Sequence, residues 1–115
     1  MKELFKDILN MKEVEGILLI TFDGRLVYKE FKPSLTGTPE NLDWPSVLSV
    51  LAGLREADFN FENGRIYFRR TGVGYLVVIS KGNLSGAMLR LNCDILMPSL
   101  NPSKQSRSLK RFFKK

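Results

Sequence analysis

From Glu13 to Phe31 the hydrophobic pattern, EVEGILLITFDGRLVYKEF, reads as two strands and a turn. Ile17 to Phe22 is apolar at five of six positions and rich in β-branched residues, which suits a central strand covered on both faces. Asp23-Gly24 then supplies the positive φ values of a two-residue hairpin turn. Arg25 to Phe31 mixes polar and apolar residues and returns nearer an edge. Upstream, Leu4, Phe5, Ile8 and Leu9 recur at helical spacing and predict a short amphipathic helix with one face on the sheet. Downstream, KPSLTGTPEN reads as a loop leading to a second helix, with Asp43 as N-cap and Pro45 in the first turn.

The pattern predicts that second helix over Trp44 to Ala57. Trp44, Val47, Leu48, Val50, Leu51 and Leu54 span an arc of about 160°, wider than the roughly 100° stripe of a surface helix, so one neighbour would leave part of it wet. Ser49, Gly53 and Ala57 form a ridge of small side chains beside it, along which another helix could approach closely. Glycine at 53 costs about 1 kcal/mol relative to alanine in an exposed helix, which asks for an offsetting contact. Two further strands, Asp58 to Asn63 and Arg65 to Arg70, follow around Asn63-Gly64, with Phe59, Phe61, Ile66 and Phe68 alternating with polar residues. Gly74 opens YLVVIS, a second near-continuous apolar strand expected to pair with the first central one. Leu84, Met88, Leu91 and Ile95, with Leu96 adjacent, then predict a third helix capped by Asn83 or Ser85 and stopped by Pro98. Cys93 falls off that stripe and reads as an incidental small residue without an activating neighbour. The expected fold is α+β, an α/β sandwich with one five-stranded, mainly antiparallel sheet in the order helix-strand-strand-helix-strand-strand-strand-helix.

Charge changes the picture only at the C-terminus. The chain has 18 Lys and Arg against 12 Asp and Glu, and Lys104, Arg107, Lys110, Arg111, Lys114 and Lys115 account for the whole excess. A single domain over 1–101 and a basic, flexible tail over 102–115 are expected, with any acidic surface, on a protein or a membrane, assigned to the tail and nucleic acid disfavoured. The N-terminus lacks a signal-peptide core and no apolar run reaches membrane-span length, so a cytoplasmic location is expected. One cysteine excludes an internal disulfide, and without histidine the usual acid–base constellations cannot be assembled. DFNFENG departs from a calcium loop, with its glycine seventh and Arg69 in the place of the closing glutamate. Gly72-Val73-Gly74 leads into a strand where phosphate binding needs a helix N-terminus, and Asn83-Leu84-Ser85 matters as a glycosylation acceptor only in a secreted chain. No catalytic residues, cofactor or metal are expected, and the function is an interaction.

The Val14-Glu15-Gly16 lead-in, the Asp23-Gly24 turn, and the apolar last strand followed by Asn83-Leu84-Ser85-Gly86 and a Met88-Leu89-Arg90-Leu91 helix resemble the roadblock family of dynein light chains and their bacterial relatives. The match spans Leu4 to Leu96; the basic tail departs from the family core. The resemblance implies a profilin-like sandwich that forms a homodimer, or a heterodimer with a paralogous chain, by joining two sheets edge to edge with the second helices in contact. Bacterial members are partners and regulators of small Ras-like GTPases, whereas eukaryotic members are adaptors in motor and signalling scaffolds. The expected dimer surface comprises Trp44, Val47, Ser49, Val50, Gly53, Leu54, Ala57, Phe59 and Phe61, because an edge strand offers unpaired backbone groups to a second copy. The competing functions are an adaptor that does not affect nucleotide turnover and an anion-binding module acting through the tail.

Overall fold

The computed structural model describes residues 2–33, 35, 43–62 and 64–100. A 3-10 turn, Lys2–Phe5, runs into α1 (Lys6–Leu9) and is followed by β1 (Val14–Thr21) and β2 (Leu26–Phe31). Then come α2 (Trp44–Leu51), β3 (Glu56–Phe61), β4 (Gly64–Arg70), β5 (Gly74–Ser80) and α3 (Gly86–Leu96), closed by a second 3-10 turn, Met97–Leu100. The five strands form one antiparallel sheet in the order β2-β1-β5-β4-β3. The two apolar strands, β1 and β5, lie side by side within it, as their composition predicts.

Burial on both faces follows from the strand period of two. Ile17, Leu19, Leu76 and Val78 point to one side, where they pack with Phe5 and Ile8 of the N-terminal helices and with Leu89, Cys93 and Leu96 of α3. Leu18, Ile20, Tyr75 and Val77 point to the other, under Trp44, Leu48 and Leu51 of α2. Among the described elements three layers result, with α1 and α3 on one face and α2 on the other. One helix is too narrow to cover that second face, and what it leaves open becomes the site described below.

Several local expectations are corrected. In the β1–β2 connection only Gly24 has positive φ, at 91°; Asp23 does not. The loop is one residue longer than a two-residue turn: Thr21 N–H bonds Arg25 C=O at 2.8 Å, Gly24 N–H bonds Thr21 C=O at 2.9 Å, and Phe22 sits in the turn instead of the strand. Phe61 pairs with Gly64, so Gly64 belongs to β4 and the turn lies one residue earlier than expected; Asn63 lies outside the described residues. In α3 the buried residues are Leu89, Cys93 and Leu96, whereas Met88, Leu91 and Ile95 of the predicted core stripe are exposed. The helix is turned so that Cys93 is fully buried, and desolvation pushes its thiol up to about 12, which keeps it neutral.

Charges on the α3 side tie β3, β4 and α3 together. Arg65 donates to both Asp58 oxygens at 2.8 and 2.5 Å and to the Leu84 carbonyl at 2.6 Å. Arg90 reaches Glu56 at 2.9 Å, and Arg69 bonds Asp94 and the Tyr67 hydroxyl. The Arg65 hydrogen bonds hold the Asp58 carboxyl below its usual value of 3.8. Because the folded pKa is the lower one, the stabilisation is complete above the unfolded pKa and is lost as pH falls through the folded value. Asp58→Asn is therefore expected to cost about 1.5–3 kcal/mol at neutral pH and to flatten the acid side of the stability curve, measured by urea unfolding from pH 7 to pH 3.

Candidate interaction surface

The sequence places α2 firmly at its start. Asp43 caps it, accepting from Ser46 N–H at 3.5 Å and from the Ser46 hydroxyl at 2.6 Å, with Pro45 in the first turn where no N–H is needed. Its end is a correction. The helix stops at Leu51, and Gly53 takes a φ of +84° in the turn that follows, the left-handed conformation with which glycine ends helices. Leu54 N–H closes back on the Leu51 carbonyl at 2.9 Å, and the chain enters β3 at Glu56.

The expected ridge of Ser49, Gly53 and Ala57 is therefore not a helix ridge. Ser49 lies on α2 and donates to the Ser46 carbonyl, Gly53 is in the turn, and Ala57 is in β3 against the α2-side core. Leu54 has also left the helix and is exposed. Nothing lies within 4 Å of a Cβ built on Gly53, so its glycine serves backbone conformation and not close packing. Gly53→Ala should cost about 1–2 kcal/mol through strain alone, checked by chemical unfolding beside the wild type.

Trp44, Val47, Val50, Phe59 and Phe61, by contrast, come together. With Leu51, Ile66 and Phe68 they line an apolar groove of about 330 Å³ between α2 and the outer strands. Period two in β3 sends Phe59 toward this groove, edge-on to Phe68 at 5.8 Å, while Glu56 and Asp58 point to the other face and are paired there by Arg90 and Arg65. Trp44 meets Phe68 at 6.4 Å, and its buried Nε1–H finds no acceptor among the described residues. Val50 is 77% exposed and Phe61 59%. Ile66 and Phe68 were missing from the expected surface, although their alternation with polar residues in β4 marks one face of that strand.

The groove borders an edge strand. β3 pairs with β4 and has no second neighbour among the described strands, so its outer backbone groups are available for pairing. An apolar groove beside such an edge can bind protein; it presents no group for proton transfer or covalent chemistry. Lys104, Arg107, Lys110, Arg111, Lys114 and Lys115 lie outside the described residues.

The fold as a whole has counterparts among solved proteins. A roadblock/LC7 domain from Streptomyces avermitilis superposes with a TM-score of 0.69 at 14% identity, over 90% of this chain and 96% of that one. The fold is that of the roadblock/LC7 domain. Two further solved structures share the fold. MglB from Myxococcus xanthus matches with a TM-score of 0.60 at 20% identity, over 90% of each chain. An MglB described with a tetrameric arrangement matches at 0.70 and 14% identity, over 97% of this chain and 86% of its own. No family model and no curated protein sequence matches the chain. The roadblock likeness thus rests on shape, and the groove and edge described above belong to this chain's own side chains. Among the described residues no helix is long and apolar enough to cross a membrane.

Proposed function

We propose that this chain is a non-catalytic, cytoplasmic roadblock module that dimerises through the α2/β3 face and, as a dimer, binds and regulates a small Ras-like GTPase. The observation that carries the reading is the apolar groove set directly beside an unpaired edge strand. Two copies related by a two-fold axis pair β3 with β3 and bring α2 toward α2, each covering Val50, Phe59 and Phe61 of the other. The GTPase partner is supported by the likeness to MglB and by the bacterial branch that the sequence resembles. Such a regulator positions catalytic groups that belong to the GTPase and supplies no nucleophile, which fits a chain without histidine or a phosphate loop.

The test is nucleotide-dependent co-purification of a Ras-like GTPase with this chain, followed by GTP turnover and nucleotide exchange with and without it. The isolated chain is expected to hydrolyse no GTP, and the mixture to differ from the GTPase alone in turnover or exchange. Hydrolysis by the isolated chain that survives repeated purification and disappears on a point mutation would overturn the reading. Co-purification indifferent to the nucleotide, with unchanged turnover and exchange, would favour an adaptor instead.

A further inference from the structure

The outer side of α3 carries an apolar stripe that the described fold leaves uncovered. Leu89, Cys93 and Leu96 face the sheet, whereas Met88, Leu91 and Ile95, at i, i+3 and i+7, are exposed to 50%, 53% and 64%. A helix with apolar residues on both sides is expected where both sides are covered. This stripe lies across the sheet from the α2/β3 groove, so it is a separate surface, and a failure of either proposal leaves the other standing.

The chain leaves α3 through Met97–Leu100, and Leu100 is fully buried in the α3-side core, which fixes the start of the remaining segment at the C-terminal end of the helix. That segment, 101–115, contains Leu109, Phe112 and Phe113 at i, i+3 and i+4, a spacing that puts all three on one side of a helical turn. Pro102 interrupts any direct continuation of the preceding helix. The eight residues NPSKQSRS before Leu109 reach up to about 26 Å when extended, more than the ~16 Å length of α3. We propose that the C-terminal segment folds back within its own chain and docks Leu109, Phe112 and Phe113 on Met88, Leu91 and Ile95.

The occupant follows from size and tethering. Three partly exposed side chains fall well short of the ~800 Å² per partner that a stable complex between separate molecules buries, so a second copy gains too little here. A segment already attached needs far less contact, because a short tether gives it an effective concentration on the order of millimolar. On α3 itself the charges flanking the stripe are of both signs, Arg90 and Asp94, and both are exposed. Apolar packing therefore carries the docking, which makes no use of the six tail cations. An acidic surface that draws on those cations would then compete with α3 for the segment.

The test is methyl NMR of the full chain labelled at methionine, compared with the full-length Phe112→Ser, Phe113→Ser variant. In the wild type the Met88 methyl, beside two aromatic rings, should be shifted by their ring currents, and the variant should lose that shift. Met11 and Met97, packed against the inner core, serve as controls and should stay in place. Amide exchange of residues 109–113 should speed up on the order of tenfold in Leu91→Asp, which disables the stripe and leaves the segment intact. A Met88 signal identical in wild type and variant would overturn the proposal. So would a Met88 shift that scales with protein concentration, the mark of a second copy, or one that appears only with phosphatidylserine vesicles.

Discussion

Gly74→Ala is expected to lower stability by about 3 kcal/mol or more and Tm by about 12–24 °C. Gly74 opens β5 opposite Thr21, where β1 and β5 pair along the centre of the sheet. A Cβ added there would lie 2.1 Å from the Ile20 carbonyl oxygen and 2.8 Å from both the Ile20 carbonyl carbon and the Thr21 Cα. All three atoms are backbone, so no side chain can swing aside. Relief requires β1 and β5 to part, and their separation would loosen Ile20 and Tyr75, both in the α2-side core. Gly53 is the contrasting case, since its Cβ would meet open space. Chemical and thermal unfolding of both variants beside the wild type measures the difference. A loss below about 1 kcal/mol for Gly74→Ala would contradict the close approach of the two central strands.

The central strands were legible because both of their faces are apolar, a pattern that only coverage from two sides explains. Helix ends and helix orientation were harder. Beyond Leu51 the apolar spacing continues through Leu54 and Ala57, so periodicity alone extends α2 by nearly two turns. The contrary signal was Gly53, which served as a terminator through its left-handed φ and not as a contact between helices. In α3 two apolar series run side by side: Leu84, Met88, Leu91 and Ile95, and Leu89, Cys93, Leu96 and Leu100. Period cannot say which of the two meets the sheet. The second does, and its inclusion of a small cysteine and its continuation to Leu100 were the available clues.

The apolar groove was half legible for a related reason. Trp44, Val47 and Val50 belong to the true first two turns of α2, and Phe59 and Phe61 alternate cleanly in β3, and these five line one groove. Ile66 and Phe68 also alternate, but a strand pattern separates two faces without saying which helix covers each. Their place in the groove depends on β4 lying between β5 and β3, a property of the sheet order that no local spacing encodes.

Phe61→Asp is expected to raise the dimer Kd by at least about 30-fold, the ~2 kcal/mol that loss of a central aromatic anchor costs. Phe61 is 59% exposed in the single chain, lines the groove and sits at the end of the edge strand, so it contributes little to the fold and, in the proposed dimer, much to the contact. A carboxylate there must lose its hydration when two apolar grooves close on each other, with no cation among the groove residues to pair it. The monomer should remain folded, because removing a side chain that solvent already reaches opens no cavity in the core.

Sedimentation velocity of wild type and Phe61→Asp at about 50 μM, above the micromolar Kd of a modest interface, tests the central claim most directly. The α2/β3 account predicts a dimer for the wild type and a folded monomer for Phe61→Asp. A monomeric wild type, or a variant that remains as dimeric as the wild type, would contradict it.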